Sequence, residues 1–259
     1  MASNQQTLLD DPRYAEFTER YAFDISRFCI EVCGEEPTYQ QIELFDSVSA
    51  PGSRTSVSSG HGTGKTHGFG VIALWHLLCF HNSNTLISAP KLDTVQKGVW
   101  KEFADLKQKI ENGMQSWVMD YVDIKDQRVY VKGFKLSWWI IAKTAPRGSP
   151  ENLAGAHRDW LLWLVDEASG VPDANFGVIT GSLTDARNRI CIASQPTRAS
   201  GFFYDTHHSL SLDEGGRWDA MVFSSEESTL VSKEFIREKR QQYTKEEYDI
   251  KVLGKFSDM

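Results

Sequence analysis

The segment SSGHGTGKTHGFG, residues 58–70, constrains the fold of this chain more than any other feature. Its Gly-Lys-Thr triplet at residues 64–66 fits the end of the phosphate-binding pattern G-x-x-x-x-G-K-S/T, although Ser59 stands at the first glycine position. The glycines allow successive backbone N–H groups to turn inward around an anion, and the following helix contributes the positive end of its dipole. The segment therefore predicts a nucleotide-binding loop that joins a strand to a helix.

The residues of this loop have separate expected roles. Lys65 is expected to reach the β- and γ-phosphates of ATP, and the Thr66 hydroxyl to join the shell of a Mg²⁺ ion. A flexible glycine turn without a ligand is the alternative, but a strand predicted before the loop and an apolar helix predicted after it favour phosphate binding. The complete set of expected loop contacts is Ser59, Gly60, His61, Gly62, Thr63, Gly64, Lys65 and Thr66.

A second motif follows the apolar run LLWLV at residues 161–165. Asp166 and Glu167 come directly after this run, at the end of a strand where ligands bind in open α/β sheets. Asp166 is suited to hold Mg²⁺, and Glu167 to polarise the attacking water as a general base. The alternative is a core strand that ends in acidic residues at a helix N-terminus. Together the two motifs favour ATP hydrolysis, with Thr66 and Asp166 as metal-binding residues and Lys65 and Glu167 as catalytic residues.

Apolar runs of strand length alternate with helical patterns along the chain, which is typical of βαβ units around a parallel sheet. Strands are predicted at 55–58, 85–89, 128–132, 136–142, 161–165, 189–193 and 217–223, with a loop at 143–155. Helices are predicted at 10–33, after Pro37, and at 69–80, 92–110 and 232–252. The strand candidates at 85–89 and 137–142 lie between the two motifs in sequence, which indicates a P-loop class with an extra strand between the motif strands. The predicted fold class is therefore α/β, a P-loop NTPase (RecA-like, additional-strand class) with a mainly parallel central sheet flanked by helices.

Composition and charge exclude several classes of function. The 259 residues, 41% hydrophobic and 24% charged, are enough for one large α/β domain with a buried core. No apolar run approaches the roughly 20 residues that a membrane span needs, and the N-terminus lacks the pattern of a signal peptide, so a cytoplasmic protein without membrane contact is expected. A net charge of −7 argues against a generally basic nucleic-acid-binding surface, so any DNA contact must be local or shared among subunits.

Five segments together resemble the large terminase subunits of tailed bacteriophages and prophages, the ATPase motors that package double-stranded DNA into capsids. PTYQQIELF, residues 37–45, is similar to the family's adenine-recognition segment, and SSGHGTGKT, residues 58–66, to its P-loop. ISAPKLDTVQKGVW, residues 87–100, resembles a segment that terminases share with helicases. The most specific likenesses are those of LLWLVDEASGVPD, residues 161–173, to the acidic motif and of IASQPTRASGFFYD, residues 192–205, to the coupling motif.

The resemblance implies further nucleotide contacts. Gln40 would contact the purine, and Tyr39 would stack on it. The coupling motif would sense the loss of the γ-phosphate through Ser194, Gln195 and Thr197 and pass it on to a DNA-gripping surface.

The resemblance also implies an arginine that acts on the ATP of a neighbouring subunit. Ala154 stands where many relatives carry that arginine, so Arg147 and Arg158 are the nearest alternatives, and either is equally explained as an exposed, solvated charge. His61 stands where many relatives have an arginine that can touch the γ-phosphate, which changes that contact.

Domain organisation and partners follow from the same resemblance. We expect an N-terminal helical segment at 1–36, a P-loop ATPase domain at 37–250, and at 251–259 the start of a linker to a nuclease domain, so that no nuclease activity is expected of this chain. The expected cofactors are ATP and Mg²⁺. The expected partners are double-stranded DNA, the portal protein, the small terminase subunit and, on the portal, other copies in a ring, with a monomer in isolation. The expected location is the host cytoplasm, with transient docking on the procapsid.

Two other functions stay open at this stage, a helicase-like nucleic-acid motor of the same class and a nucleotide-dependent switch without turnover. Four lysines of the helix predicted at 92–110 and just before it are candidate DNA contacts or part of a solvated face, namely Lys91, Lys97, Lys101 and Lys107. Of the neighbours Trp138 and Trp139, at most one can stack on a base, because adjacent strand residues face opposite ways, and core packing is the expected role.

Overall fold

An eight-stranded sheet forms the centre of the fold in the computed structural model, which describes residues 6–145 and 148–257. The strands are β1 Arg54–Ser59, β2 Asn84–Ser88, β3 Val122–Ile124, β4 Arg128–Val131, β5 Trp139–Ala142, β6 Leu161–Val165, β7 Arg189–Ser194 and β8 Asp219–Phe223. Their spatial order is β3-β4-β5-β2-β6-β7-β1-β8. Every pairing is parallel except those of β4 with its two neighbours, so β4 alone runs against the strands beside it.

The strand order places an extra strand between the two motif strands, as the sequence predicts, but the strand is not one of the two candidates between the motifs. β7 lies between β1, which leads into the phosphate loop, and β6, which ends at the acidic pair. The intervening strands β2 and β5 lie on the far side of β6. Because β1, β6 and β7 are parallel, the residues that follow all three meet at one edge of the sheet. We call this edge the carboxyl edge.

Ten α-helices flank the sheet in the part of the chain that the structure describes. They are α1 Tyr14–Tyr21, α2 Ile25–Glu31, α3 Tyr39–Ser49, α4 Lys65–Cys79, α5 Leu92–Lys97, α6 Val99–Glu111, α7 Asp173–Gly181, α8 Phe202–Thr206, α9 Lys233–Gln242 and α10 Lys245–Lys251. Helices α1 to α4 and α6 cover one face of the sheet, and α7 and α8 cover part of the other. No helix in residues 6–145 and 148–257 is long and apolar enough to cross a membrane.

Three long helices predicted from periodicity are each divided in two. The predicted helix 10–33 breaks at Asp24, whose side chain accepts the backbone N–H of Arg27 and caps α2. The predicted helix 92–110 breaks at Gly98, and the predicted helix 232–252 breaks where Thr244 and Glu247 form a capping box. Helical periodicity in the sequence does not reveal these breaks: a side-chain cap begins the second helix at Asp24 and at Thr244, and Gly98, which has no side chain to cap with, separates α5 from α6.

Helix α4 is buried in the core after its first turn, because its residues there are apolar on nearly all sides. All of its residues from Gly68 to Cys79 are buried, as expected for a helix without a polar face. Trp138 is fully buried against this layer, and its indole N–H donates to Leu77 O at 2.7 Å. The neighbouring Trp139 is only half-buried, in agreement with the expectation that adjacent strand residues face opposite ways.

A fully buried arginine fixes α3, the helix that precedes the phosphate loop. Arg189, at the start of β7, donates to the carbonyls of Val48, Ser49 and Ala50 at the C-terminus of α3, at 2.8 to 3.2 Å. Its guanidinium also lies 5.0 Å from the ring of Trp75. Burial lowers the pKa of Arg189 to about 10, so the group stays charged at neutral pH. The charge is stabilised by the negative end of the helix dipole rather than by a carboxylate.

Candidate nucleotide-binding site

The phosphate loop lies between β1 and α4, at the carboxyl edge. Gly62 and Gly64 have φ values of +70° and +79°, so both positions require the left-handed conformation that glycine adopts freely. Ser59, the departure from the expected glycine, is fully buried, and its hydroxyl bonds to Thr63 Oγ1 at 2.5 Å and to Gly60 O at 2.8 Å. The buried Ser59 side chain therefore stabilises the loop through these two hydrogen bonds.

The second motif faces the loop from the end of β6. Asp166 is 6% exposed, and its Oδ2 lies 3.5 Å from the Thr66 hydroxyl. The backbone N–H of Glu167 donates to Asp166 Oδ1 at 2.9 Å. A hydroxyl and a carboxylate are the hard oxygen donors that Mg²⁺ prefers, so this pair of side chains fits a Mg²⁺ shell completed by phosphate oxygens and water.

Glu167 has a strained backbone. Its φ is +50°, in the left-handed region that non-glycine residues enter at a cost of about 1 to 3 kcal/mol. Its side chain is exposed and lines a cleft of about 450 Å³. The residues that line this cleft are His61, Lys65, Glu167, Gly170, Ser194, Gln195 and Thr197. Strain of this kind, retained at the edge of a cleft, is typical of a functional residue.

The segment after β7, which resembles a coupling motif and is called the coupling segment below, is hydrogen-bonded to both motifs. The hydroxyl of Ser169, three residues after Asp166, donates to Gln195 O at 2.8 Å, and the Ser169 N–H donates to Ser194 Oγ at 3.1 Å. The Gln195 side-chain amide lies 2.9 Å from His61 Nδ1 in the phosphate loop. These contacts form a continuous connection from the acidic motif through the coupling segment to the loop.

His61 is the neutral partner in this connection. Burial lowers its pKa, and the positive charge of Lys65 lowers it further. At neutral pH an uncharged imidazole can therefore accept the Gln195 N–H at Nδ1.

The arginines considered for contact with a γ-phosphate differ in their relation to the cleft. Arg147 lies outside the described residues. Arg158 donates to Asn84 Oδ1 at 3.1 Å, at the amino end of β2, so it is on the edge of the sheet opposite the cleft of its own chain. Arg198, which sequence reasoning missed, is exposed and donates to Ser169 O at 3.4 Å, beside the cleft. The sequence feature that could have indicated Arg198 is its position directly after the Ser-Gln-Pro-Thr turn.

Comparison with known proteins decides the family. The chain is 38% identical to the probable terminase large subunit of Enterobacteria phage P7, in a match that covers 97% of this chain. The chain belongs to the terminase large-subunit family. It spans about half the length of that relative, 52%. No protein-family model matches.

Two solved structures show that this terminase chain has the expected fold. It is similar to the ATPase domain of the Thermus phage P74-26 large terminase, with a TM-score of 0.66 and 18% identity over 88% of this chain and 97% of that one. The large terminase of another thermophilic bacteriophage, solved in complex with ADP, gives a TM-score of 0.63 and 14% identity over 84% of this chain and 53% of that one. The predicted α/β P-loop fold class is confirmed.

The segment 37–45, which resembles an adenine-recognition segment, has two adjacent glutamines with different environments. Gln40 is 2% exposed and its side-chain N–H donates to Ser224 O at 3.0 Å, whereas its Oε1 is buried without a partner among the described residues. Gln41, which sequence reasoning missed, donates to Gly64 O at 3.1 Å and receives the Thr38 N–H, which forms a capping box. The T-x-x-Q pattern at residues 38–41, which is typical of a capping box, could have indicated Gln41 in the sequence.

Tyr39 of the same segment is placed at the surface. It is 47% exposed, and its hydroxyl donates to Glu227 at 3.1 Å.

The later part of the terminase chain forms the outer wall of the phosphate loop. Ser225 and Ser228 donate their hydroxyls to the carbonyls of His61 and Gly62, at 2.6 and 3.2 Å. The His61 N–H in turn donates to Lys251 O at 2.8 Å.

The segment 251–254 passes so close to the phosphate loop that a Cβ atom on Gly60 would lie 2.1 Å from Val252 O. Ser58 donates to Gly254 O at 2.5 Å in the same contact. We call residues 251–254 the closing segment.

Proposed function

We propose that this chain is the ATP-hydrolysing motor domain of a terminase large subunit, which translocates double-stranded DNA into a procapsid. One observation carries the proposal: the loop lysine Lys65, the carboxylate Glu167 and the coupling residue Gln195 line a single cleft at the carboxyl edge. The family, and the large terminase solved in complex with ADP, support a nucleotide as the occupant of that cleft.

In the proposed site, the loop and the acidic pair bind and orient the phosphates. Lys65 and the N–H groups of residues 62–65 would supply positive charge, since those of Gly60 and His61 donate to Phe223 O and Lys251 O, and Thr66 and Asp166 would hold Mg²⁺. Mg²⁺, when bound, neutralises charge on the β- and γ-phosphate oxygens. Gln40 is the proposed purine contact, because its buried Oε1 can accept a hydrogen bond from an exocyclic amine, and the exposed ring of Tyr39 is the proposed stacking partner.

Glu167 is the proposed general base. Its exposed carboxylate takes a proton from the attacking water, a role that contributes typically about 10²- to 10⁴-fold to a rate. The left-handed backbone sets the direction in which the Cα–Cβ bond of Glu167 leaves the chain, at the cleft that this residue lines.

Loss of the γ-phosphate is proposed to be sensed by Gln195 with Ser194 and Thr197. The amide of Gln195 bonds to His61 on the loop, and the Gln195 carbonyl accepts from Ser169 beside the acidic pair. A change in either contact moves the coupling turn, which leads directly into α8. The DNA-gripping surface is then shifted through this turn and helix.

An arginine is expected to stabilise the charge that develops on the γ-phosphoryl group. Arg198 is the candidate beside the cleft of the same chain. Arg158 lies on the opposite edge and can serve only the nucleotide of a neighbouring copy, and Arg147 remains the third candidate. The remaining proposed partners are the portal protein, the small terminase subunit and further copies in a ring, in the host cytoplasm.

Steady-state ATP hydrolysis tests the proposal, over a range of protein concentrations and with and without double-stranded DNA. Glu167→Gln is expected to bind ATP normally and to lose at least about 10²-fold in turnover, because only the base is removed. Glu214→Gln, the same change at another exposed glutamate, is the matched control and should hydrolyse like the wild type.

Turnover that is retained in Glu167→Gln would contradict the catalytic assignment. Nucleotide binding by the wild type without hydrolysis, even at high protein concentration with DNA, would favour the switch. DNA-stimulated hydrolysis accompanied by strand separation would favour the helicase-like motor.

A further inference from the structure

The hairpin formed by β4 and β5 presents one face to the core and one face to solvent. Val129, Val131 and Ile140 on the core face are fully buried. On the other face Arg128 stands opposite Ile141, and Tyr130 opposite Trp139. Tyr130 and Trp139 are only half-buried, so helices do not fully cover this face.

The solvent face is basic on an acidic protein. Between residues 122 and 143 the chain has five basic and two acidic side chains, although its net charge is −7. We call the following group the hairpin surface: Arg128, Tyr130, Lys132, Lys135 and Trp139.

Three cations of the hairpin surface are held in place without a carboxylate partner among the described residues. The Arg128 guanidinium lies 5.4 Å from the Trp139 ring and donates to Lys135 O at 2.8 Å. The Lys135 ammonium lies 5.7 Å from the Tyr130 ring, and Lys132 donates to Asp120 O at 2.7 Å. Aromatic faces and carbonyl oxygens orient these cations but do not neutralise them. Their charge therefore remains available to an anionic partner.

Two of the lysines that the sequence suggests as DNA contacts are, by contrast, paired with carboxylates. Lys97 pairs with Asp93 at 2.9 Å, and Lys107 pairs with Glu111. A phosphate would have to displace a carboxylate at each of these positions, whereas the hairpin surface needs no such exchange. The earlier candidates therefore serve as a comparison for the hairpin surface.

We propose that the hairpin surface binds the phosphate backbone of double-stranded DNA. The inference rests on the proposed function, which makes a long polyanion the object that the protein moves. The Arg128 guanidinium donates to Lys135 O in the turn, so the cations of the hairpin surface form one group that can contact neighbouring phosphates of the backbone.

The shape and position of the surface fit this occupant. A groove of about 650 Å³ lies beside the two lysines and is lined by Asp123, Tyr130 and residues 132–137. Strand β5 is separated from β6 only by β2, about 10 Å across the sheet, and the turn between β4 and β5 lies at the amino edge, level with the start of β6 and opposite Asp166. DNA held here would contact the same sheet that carries the acidic pair.

Asp123 opposes the proposed contact and makes the test sharper. It stands opposite Tyr130 in the β3–β4 pair and therefore lies on the solvent face. Its negative charge repels phosphate, so its removal should strengthen DNA binding while removal of the cations weakens it. A general effect of mutation on folding would not produce opposite signs.

The experiment measures the binding of a labelled duplex of about 30 base pairs by fluorescence anisotropy, from 50 to 200 mM salt. The double variant R128Q/K135Q is expected to bind about tenfold more weakly at 50 mM salt and to reduce the slope of log K against log salt by about 1.8, because two phosphate contacts are lost. Asp123→Asn is expected to bind more tightly. The matched control is K97Q/K107Q, which also removes two positive charges and should bind like the wild type.

Three results would overturn the proposal. They are wild-type affinity in R128Q/K135Q, an equal loss in the K97Q/K107Q control, and no duplex binding by the wild type at 50 mM salt. If the wild type instead binds poly-L-glutamate through these residues and not the duplex, the surface takes an acidic protein and the proposal is wrong.

ATP hydrolysis without DNA, measured on the same samples, should be unchanged in R128Q/K135Q. Failure of hydrolysis in the wild type would count against the proposed function and not against this surface.

Discussion

The contact between the closing segment and the phosphate loop makes a quantitative prediction for Gly254→Ala. Gly254 has a φ of +66°, and a Cβ atom there would lie 2.9 Å from Gly60 N and 3.0 Å from Ser59 C. Both neighbours are backbone atoms of the loop, so the clash can be relieved only by moving the loop or the closing segment. The left-handed conformation costs alanine about 1 to 2 kcal/mol, and the overpacking about 1 to 3 kcal/mol more.

Gly215→Ala is a matched control for the backbone cost alone. Gly215 has a φ of +83°, and beyond its two chain neighbours no atom of the described residues lies within 4 Å of the Cβ position. We expect Gly215→Ala to lower the free energy of unfolding by about 1 to 2 kcal/mol and to leave ADP affinity unchanged. Gly254→Ala should lower it by about 2 to 5 kcal/mol. If about 1.4 kcal/mol of the strain in Gly254→Ala is relieved by displacing the phosphate loop, ADP must restore the loop when it binds, and the ADP affinity of this variant falls about tenfold.

Thermal unfolding and calorimetric ADP titration of both variants measure these effects. One kcal/mol corresponds to about 2 to 4 °C in Tm for a chain of this size, so the two variants should be separated clearly. Equal ADP affinity in Gly254→Ala and Gly215→Ala would refute the reasoning, because the closing segment would then not support the phosphate loop.

Three further predictions test other parts of the structure. Arg198→Ala is expected to reduce kcat by more than about tenfold with little change in ADP affinity, since an arginine on the γ-phosphoryl group acts mainly in the transition state; an unchanged kcat would remove Arg198 from the site. Arg189→Ala should lower the free energy of unfolding in urea by about 3 kcal/mol or more, because three carbonyls at the end of α3 lose a buried donor. The hydrogen bonds from Arg20 hold the pKa of Glu31 at about 2, so the stability that Glu31 contributes is complete above its unfolded pKa and is lost as the pH falls toward 2. The difference in unfolding free energy between wild type and Glu31→Gln should therefore be present at pH 7 and shrink on acidification; a difference independent of pH would contradict the assignment.

The parts of the site that sequence predicts are those in which short-range chemistry decides the structure. Gly62 and Gly64 adopt the left-handed conformation that a phosphate loop requires, and Asp166 and Glu167 follow β6 as an apolar run before two carboxylates indicates. The alternation of strands and helices likewise predicts the fold class, because each element buries its own apolar residues.

The remaining features depend on contacts between distant residues. Ser225, Ser228 and Lys251 reach the loop across more than half of the chain, partly through carbonyl oxygens, which every residue carries and no pattern marks. The position of β7 between β1 and β6 depends on strand order in space, which the order of motifs along the chain does not determine. Arg158 is near the acidic motif in sequence but leads into the opposite end of β6, so proximity in sequence places it on the wrong edge for its own cleft.

The late position of the closing segment also sets an order of events during synthesis. Ser58 and Gly254, which are bonded in the finished protein, are 196 residues apart. At about 5 to 20 residues per second, a ribosome adds that length in about 10 to 40 s. A growing chain thus holds an unclosed phosphate loop for at least this time, and the outer wall of the loop is completed only after the closing segment has emerged.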